Sequence, residues 1–299
     1  MIGLIGAGAM GGAIAGTFAR NFMDIMVFDL DPERVRRAVA LGARDAGDAK
    51  TLIGQCDPIL VSLPKSDTFV SVAENTLLPQ IRAGQTVIDL GTTIAEETRR
   101  LCARFAEKGA FLLDAPVSGG PIGSAQGNLF MFVGGDKDAA QKQWPLLGKI
   151  GKGRLTYCGP SGAGQVTKAV NQLAMGLVNA AYMESIAYGV ASGVDPTILM
   201  NAVGGDGGFR QQFQQVAARI AEGGGDGMDN KYAEFKYFLN EADHAGFPAP
   251  MLRALYDWMH RFPETARDNM NRPFPPFWSS LFSGGAAADK PGGKKGGAQ

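Results

Sequence analysis

Residues 1–19 read MIGLIGAGAMGGAIAGTFA, an uncharged stretch that contains six glycines. Its first five residues form an apolar run that is typical of a short buried strand. Gly6, Gly8 and Gly11 follow this run at the spacing G-x-G-x-x-G. In such a turn the first glycine permits a tight bend, the second lets the backbone approach a pyrophosphate, and the third lets the next helix pack close to the sheet. The stretch therefore predicts a dinucleotide-binding strand, turn and helix.

The helix after this turn would begin near Ala9 and Met10, so that its N-terminus points at the phosphates. An uncharged N-terminal stretch is also typical of a signal peptide or a membrane anchor. However, no Lys or Arg precedes the apolar run, and the glycines would weaken a spanning helix. We therefore expect a cofactor-binding turn, whose contact residues are Gly6, Gly8, Ala9, Met10 and Gly11.

An acidic residue stands at the expected end of the second strand. Residues 25–28 read IMVF, and Asp29 follows them, 21 positions after Gly8. A carboxylate there is suited to accept hydrogen bonds from both hydroxyls of an adenosine ribose. The alternative role, a helix cap before Pro32, suits Asp31 better. Together with the glycines, Asp29 indicates a nicotinamide or flavin cofactor.

The composition excludes several classes of protein. The chain has 299 residues, more than one hydrophobic core usually holds, so we expect two domains. It carries 29 basic and 29 acidic residues, which gives no electrostatic reason to expect a nucleic acid or an anionic membrane as partner. Three widely spaced cysteines without a CxxC pair argue against a disulfide framework or a metal site, and favour the cytoplasm. With only two histidines, we expect another residue type to carry acid–base catalysis.

The order of strand-like and helix-like segments predicts two different domains. These segments alternate over residues 1–160, which predicts an α/β domain of the Rossmann type, a doubly wound parallel sheet with helices on both faces. After residue 160 no strand pattern follows, so we assign residues 161–282 to an all-helical domain for substrate binding and oligomerisation. Its first helix, over residues 164–192, is apolar on most faces and should be buried between domains or subunits. Residues 283–299 are rich in Gly, Ala and Lys and predict a disordered tail. Beyond the first two, the expected strands cover residues 58–63, 86–89, 110–114, 129–133 and 154–158.

Three further segments carry polar residues at element ends. Residues 114–120 read DAPVSGG, residues 162–172 read GAGQVTKAVNQ, and residues 89–93 read DLGTT. In sequence and in order, these segments and the N-terminal glycines resemble the β-hydroxyacid dehydrogenase family, which includes 3-hydroxyisobutyrate dehydrogenase and tartronate semialdehyde reductase. The resemblance covers roughly residues 1–270. It implies reversible hydride transfer between NAD, with NADP as the alternative cofactor, and a small β-hydroxy acid or its semialdehyde.

The segment Ser118-Gly119-Gly120 is the expected binding site for the substrate carboxylate. It places a hydroxyl and backbone N–H groups on a loop at a strand end, an arrangement suited to a carboxylate. An ordinary serine–glycine turn is the alternative interpretation. The resemblance implies that these three residues hold the carboxylate of the substrate.

Lys168 is the expected catalytic residue. It lies near the start of a mostly apolar helix, where the alternative is a surface lysine whose stem packs on apolar neighbours. Asn171 and Gln172 follow at i+3 and i+4 and share its helix face. The resemblance implies that Lys168 donates a proton to the substrate oxygen and that a helix amide orients the substrate. Many members carry Asn at i+4, where this chain has Gln172, so we assign the amide role to Asn171 and Gln172 jointly.

Three more residues are expected near the cofactor. The family places a Ser or Thr at the position of Thr92, near the nicotinamide ribose. The alternative role for Thr92 is the N-cap of the helix that runs through Glu96. Leu63 and Pro64 end another strand and resemble the adenosine-side segment of the family.

The chain departs from the family pattern in its C-terminal half. Members often have a Lys-Asp pair about thirteen residues before a Gly-x-Pro turn, which matches residues 246–248 here. The corresponding positions are Ala233 and Glu234, flanked by Lys231 and Lys236. The substrate-side basic group is therefore moved or missing, and a small monocarboxylate is the expected substrate.

Other functions fit the sequence less well. The phosphogluconate enzymes share these motifs but are longer and have a histidine beside the helix asparagine. A dinucleotide-binding scaffold without catalysis would not need Lys168. A methyltransferase with a glycine loop would have no use for either Ser118 or Lys168.

The remaining expectations concern cofactor preference and assembly. The second strand ends in Asp29-Leu-Asp31-Pro without a basic residue directly after Asp29, which favours NAD over NADP, although Arg34 lies close in sequence. We expect a homodimer or homotetramer in the cytoplasm, without membrane or nucleic-acid partners.

Overall fold

The computed structural model describes residues 1–21, 23–224, 232–262 and 276–282 of the chain. These divide into two compact units. The first contains Met1–Asn171 with Asp243–Ala245, and the second contains the described residues between 172 and 242 and between 246 and 282. The sequence prediction put the boundary at residue 160, directly after the last strand. The first unit extends to Asn171 because the first turns of the following helix are hydrogen-bonded to the sheet. The tail expected at residues 283–299 lies outside the described residues.

The first unit alternates strands and helices. A π-helical turn at Ala73–Leu77 directly follows helix α4 (Ser66–Val72) of this unit. Its strands are β1 (Ile2–Ile5), β2 (Ile25–Phe28), β3 (Arg44–Asp45), β4 (Ile59–Val61), β5 (Thr86–Asp89), β6 (Phe111–Asp114), β7 (Val117–Ser118), β8 (Phe130–Gly134) and β9 (Leu155–Gly159). Its helices are α1 (Ala9–Arg20), α2 (Pro32–Ala40), α3 (Ala49–Gln55), α4 (Ser66–Val72), α5 (Ala95–Glu107), α6 (Gly120–Ala125) and α7 (Lys137–Gly151).

The nine strands form one sheet in the order β3-β2-β1-β4-β5-β6-β8-β7, with β9 paired to β8. Strands β1 to β6 pair in parallel and have the 3-2-1-4-5-6 order of a dinucleotide-binding fold. The predicted doubly wound parallel sheet is confirmed for this part. Beyond it, β8 runs antiparallel to both β6 and β7 and parallel to β9. This part of the sheet brings the DAPVSGG segment beside β8.

The core of the first unit lies on both faces of the sheet. Leu4 and Leu60 belong to one buried apolar cluster, whereas their chain neighbours Ile5 and Val61 belong to another. Successive side chains of a strand point to opposite faces, so each central strand serves both clusters. Continuous apolar strands are therefore required, as in the sequence IGLI of β1.

The described part of the second unit is helical, as predicted. It begins within α8 (Ala163–Ala191), which matches the long helix expected over residues 164–192. Within a single chain α8 is not buried on most faces, since Val170 is 61% exposed and Tyr188 76% exposed. None of the described helices has the length and hydropathy of a membrane span. The other helices are α9 (Pro196–Val203), α10 (Gly208–Ala221), α11 (Phe235–His244), α12 (Pro250–Met259) and α13 (Pro276–Phe282).

Candidate active site

The N-terminal glycines leave room for backbone where side chains would not fit. Gly6 has a φ of +92°, and a Cβ there would overlap the carbonyl oxygen of Ser62. A Cβ on Gly11 would overlap the carbonyl oxygen of Gly6, so the third glycine lets α1 pack against the turn. Around Gly8, by contrast, the nearest atom to such a Cβ is a guanidinium nitrogen of Arg34 at 3.9 Å.

This turn fits the pyrophosphate of a dinucleotide. Gly8 is the N-cap of α1, no side chain caps the helix, and its first turn has no acidic residue. The N–H groups at Ala9, Met10 and Gly11 belong to the turn that lacks intrahelical partners and carries the positive end of the helix dipole. Because little steric bulk surrounds Gly8, this helix start can accommodate an anion.

The Asp29 carboxylate is held at the end of β2 by main-chain donors. Oδ2 accepts a hydrogen bond of 2.7 Å from Ala7 N–H, and Oδ1 accepts one of 2.9 Å from Asp31 N–H. The Arg34 guanidinium lies 3.7 Å from Asp29 and 3.2 Å from Asp31. Asp31 caps α2 by accepting a bond of 2.9 Å from Glu33 N–H, so the prediction that Asp31 rather than Asp29 is the helix cap is confirmed.

Leu63 lies between two glycine turns at the carboxyl edge of the sheet. A Cβ on Gly6 would be 3.2 Å from its side chain, and a Cβ on Gly91 would be 3.2 Å from its carbonyl oxygen. Pro64 follows it and is exposed. The structure thus brings the Leu63 segment next to both the first glycine turn and the loop after β5.

Thr92 lies in this loop and does not cap a helix. Helix α5 begins at Ala95 with Ile94 as its N-cap, and no side chain caps it. The alternative role of Thr92 as an N-cap is therefore wrong. Its neighbour Thr93 is buried and donates a hydroxyl hydrogen bond of 2.6 Å to the carboxylate of Asp89.

Lys168 is buried beside the DAPVSGG segment. It is 2% exposed, and Nζ donates a hydrogen bond of 2.7 Å to the carbonyl oxygen of Val117. The alternative of a surface lysine is therefore wrong. One turn later on α8, Asn171 Nδ2 lies 3.3 Å from Ser118 Oγ. The structure thus brings together Lys168, Asn171 and Ser118 within the first unit.

The two glycines after Ser118 adopt conformations that favour glycine. Gly119 has a φ of +134° and is the N-cap of α6, and Gly120 has a φ of +63°. A Cβ on Gly120 would meet no atom within 4 Å, so open space surrounds it. Both glycines are exposed, and the exposed atoms of a glycine belong to the main chain.

Gln172 has a different environment from Asn171. It is fully buried, and Nε2 donates a hydrogen bond of 2.9 Å to Glu234 Oε2, a contact inside the second unit. Glu234 occupies one position of the Lys-Asp pair that the family often has. Lys236 is exposed, with Nζ 5.3 Å from the ring centre of Tyr237. Lys231 lies outside the described residues.

Sequence reasoning assigned no role to two buried carboxyl groups and one amide. Asp89 and Asp114 are neighbours on β5 and β6, and Gln165 bonds to both. Burial raises the pKa of Asp89 to about 7, opposed by hydrogen bonds from Thr93 and Gly91. Burial also raises the pKa of Asp114 to about 6, opposed mainly by main-chain N–H donors. All three residues lie within the sequence motifs quoted above. This position was the signal from which their importance could have been predicted.

Among the described residues, no group of three or more His, Cys, Asp or Glu side chains is arranged to hold a metal ion.

The comparisons with known proteins agree with this geometry. Residues 1–159 match the family model for the NAD-binding domain of 6-phosphogluconate dehydrogenase. A 3-hydroxyisobutyrate dehydrogenase of Pseudomonas aeruginosa is 34% identical over 200 residues, which are 66% of this chain and 67% of the relative. A 2-hydroxy-3-oxopropionate reductase of Escherichia coli is 31% identical over 246 residues, 81% of each chain.

The chain belongs to the β-hydroxyacid dehydrogenase family. Its N-terminal domain is an NAD-binding domain, and the chain is an oxidoreductase that acts on hydroxy acids with a nicotinamide cofactor. A solved 3-hydroxyisobutyrate dehydrogenase of Mycobacterium tuberculosis, with L-serine, has the same fold. It is 21% identical, its TM-score is 0.77, and the match covers 94% of this chain and 98% of that one.

Proposed function

We propose that the enzyme interconverts a small β-hydroxy monocarboxylate, such as 3-hydroxyisobutyrate, and its semialdehyde, with Lys168 as the proton-exchanging residue. The observation that carries this proposal is the burial of Lys168 beside the 114–120 segment, with Nζ bonded to the Val117 carbonyl. Val117 directly precedes Ser118, so the lysine lies next to the proposed carboxylate-binding residues.

The substrate carboxylate is proposed to bind at Ser118, Gly119 and Gly120. The Ser118 hydroxyl and the main-chain N–H groups around the two glycines are donors suited to a carboxylate. Asn171 contacts Ser118 from the helix that carries Lys168. A substrate bound there would therefore have its carboxylate fixed at one end and its oxygen-bearing carbon toward Lys168.

The chemical step needs a proton and a hydride. A nicotinamide dinucleotide, when bound, donates or accepts the hydride. In the reducing direction Lys168 donates a proton to the carbonyl oxygen as the carbonyl carbon becomes a carbinol, and in the oxidising direction it takes the hydroxyl proton back. Asn171 and Gln172 are proposed to orient the substrate jointly. Because Gln172 is bonded to Glu234, its contribution would be made through that pair.

The proposed cofactor site uses the N-terminal glycine turn, with Gly6, Gly8, Ala9, Met10 and Gly11 around the pyrophosphate. Asp29 would bind the adenosine ribose, Leu63 and Pro64 would line the adenosine side, and Thr92 would lie near the nicotinamide ribose. NAD is the proposed preference, because Asp29 and Asp31 stand together where a 2′-phosphate would add negative charge.

Assembly and location are also part of the proposal. Exposed apolar side chains on α8 and α9, including Val170, Tyr188 and Ile198, support a homodimer or homotetramer that covers them. Light scattering would measure the mass directly, and a monomer would refute this point. The free cysteines Cys56, Cys102 and Cys158 support a reducing compartment such as the cytoplasm.

The test is a turnover screen with purified protein. NAD is offered with a panel of β-hydroxy acids, namely monocarboxylates, dicarboxylates and phosphorylated analogues, and NADH formation is followed. Selective oxidation of a small monocarboxylate is the expected result. NADH binding without turnover of any member would favour the alternative of a non-catalytic dinucleotide-binding scaffold.

A further inference from the structure

A buried carboxylate fastens the start of α8 to the end of β6. Asp114 Oδ1 accepts a hydrogen bond of 3.0 Å from Gly162 N–H, and Oδ2 accepts one of 3.1 Å from Gln165 N–H. The carboxylate is tightly enclosed. A Cβ on Gly134 would lie 2.7 Å from both of its oxygens, and one on Gly164 would lie 2.8 Å from Oδ2. The helix start therefore has little freedom to shift along the sheet.

The side chain of Gln165 joins this helix start to the loop after β5. Oε1 accepts a hydrogen bond of 3.0 Å from Thr93 N–H, and Nε2 donates to the Gly91 carbonyl at 3.0 Å. Nε2 also lies 3.4 Å from Asp89 Oδ2. Asp89 in turn accepts hydrogen bonds from Gly91 N–H and the Thr93 hydroxyl. One amide and one carboxylate thus hold both ends of the 91–93 loop.

Gln165 lies between two parts of the proposed site. Lys168 follows it by three residues, slightly less than one helical turn. Thr92 lies between Gly91 and Thr93, the two residues that the amide binds. Gln165 is 2% exposed, and all of these residues belong to the first structural unit. The loop with Thr92 and the helix with Lys168 are therefore connected through one buried side chain.

Gln85 provides an internal comparison at the opposite end of β5. It is 4% exposed, and its Oε1 accepts a hydrogen bond of 2.8 Å from Arg82 N–H. Its Nε2 donates to the carbonyl oxygens of Ile53 and Cys56 at 2.9 and 2.8 Å. Gln85 and Gln165 are therefore alike in burial and in the number of side-chain bonds described. They differ in the segments that they connect.

We propose that Gln165 is a positioning residue for hydride transfer, which sets the place of the 91–93 loop relative to Lys168. This inference rests on the proposed function, in which Thr92 lies near the nicotinamide ribose and Lys168 exchanges the substrate proton. A displacement of reacting groups by about 1 Å costs on the order of 100-fold in rate. Without the amide, Asp114 still holds the helix start and Asp89 still holds the 91–93 loop, but the side-chain bonds from Gln165 to Gly91 and Thr93 are lost. The loop can then move relative to Lys168, whereas the glycine turn and Asp29 still bind the dinucleotide.

The experiment compares Gln165→Met with Gln85→Met in the full-length protein. Both substitutions remove a buried amide of similar size, and both should lower Tm. We measure kcat at a saturating concentration of the β-hydroxy acid that the turnover screen identifies, and the Kd for NADH by nicotinamide fluorescence. We also measure the isotope effect on kcat with the same acid deuterated at its carbinol carbon. For Gln165→Met we expect a kcat at least about tenfold below that of Gln85→Met. We also expect a Kd within about threefold of wild type and an isotope effect no smaller than that of wild type.

Two outcomes overturn different statements. A wild-type protein without turnover refutes the proposed function itself. An active wild type, with the kcat of Gln165→Met within about tenfold of Gln85→Met, refutes only the positioning role. If Gln165→Met does not fold, the same comparison is made with Gln165→Glu and Gln85→Glu, which keep the Oε1 acceptor and remove the Nε2 donor. The same tenfold criterion then decides the matter.

Discussion

Asn171 Nδ2 lies 3.3 Å from Ser118 Oγ, although the two residues are 53 positions apart in the chain. This contact joins the first turns of α8 to the end of β7, just before α6. Because Lys168 Nζ is bonded to Val117 on the same segment, the lysine and the proposed carboxylate site keep a defined distance from each other.

The substrate should need its free carboxylate. The Ser118-Gly119-Gly120 segment presents donors for one carboxylate, and a methyl ester loses the charge-assisted hydrogen bonds. Esterification should cost at least about 2 kcal/mol in kcat/KM. Acid, ester and a dicarboxylic analogue are assayed side by side. Equal values for acid and ester would exclude this role of Ser118, and a preference for the dicarboxylate would indicate a basic group such as Lys236 near the substrate.

Lys168→Ala should abolish turnover and leave dinucleotide binding nearly intact. Lys168 Nζ is bonded to the Val117 carbonyl beside the proposed carboxylate site, whereas the residues proposed to bind the dinucleotide do not include Lys168. Loss of a general acid typically lowers the rate about 10²- to 10⁴-fold. Lys142→Ala is the control, because Lys142 is an exposed residue of α7 without a proposed role. The assigned role is wrong if Lys168→Ala retains more than about a tenth of the wild-type kcat.

The enzyme should have a higher kcat/KM with NAD than with NADP. Asp29 is oriented by the N–H groups of Ala7 and Asp31, and a 2′-phosphate would meet both carboxylates. Arg34 is already paired with these two carboxylates, which reduces its availability. Asp29→Ala should therefore lower kcat/KM for NAD more than for NADP. A wild type that prefers NADP would contradict the assignment.

Gly164→Ala should strongly destabilise the first unit. A Cβ there would overlap the Phe132 carbonyl oxygen and lie 2.7 Å from the Asp114 carbonyl oxygen, and neither main-chain group can move easily. Overpacking of this kind typically costs about 1–3 kcal/mol or more. Gly148→Ala is the control, since a Cβ on Gly148 in α7 meets nothing within 4 Å. Urea unfolding should show a large decrease in the free energy of unfolding for Gly164→Ala and no decrease for Gly148→Ala.

The stability contribution of Asp89 should fall as the pH rises from about 4 to about 7. Its folded pKa of about 7 lies above the unfolded value of 3.8, so in this interval the folded state binds the extra proton. The free energy of unfolding then decreases with rising pH, and the contribution is constant above pH 7. Relative to that of Asp89→Asn, the free energy of unfolding of wild type should decrease by up to about 4 kcal/mol over this pH range.

Urea unfolding of wild type and Asp89→Asn at several pH values measures this difference. Asp45→Asn serves as the control, because Asp45 lies on an exposed edge strand. A stability difference between wild type and Asp89→Asn that does not change between pH 4 and pH 8 would show that folding does not raise the pKa of Asp89.

Local chemistry explains why much of the fold was predictable. The apolar run of β1, the glycine at a φ of +92° and the small residues of α1 each require their local structure. The cap at Asp31 and the long helix Ala163–Ala191 are likewise specified by neighbouring residues. These features depend on contacts within a few residues or on hydrophobic periodicity, which the sequence contains directly.

The environments of individual site residues depended on distant parts of the chain. Gln172 pairs with Glu234, 62 positions away, and Gln165 approaches Asp89 across 76 positions. Sequence spacing alone predicted that Asn171 and Gln172 share one helix face. It did not predict the residue to which either side chain is hydrogen-bonded.

The sequence by itself therefore determined the dinucleotide-binding domain, the helical second half and the family, because these follow from glycine geometry, hydrophobic pattern and motif order. Only the tertiary structure decided that β8 runs antiparallel to β6, that Lys168 is buried against Val117 and that Gln165 connects two motifs. The physical reason is that each of these relations is made between segments far apart in the chain, where strand pairing and close packing select the partners.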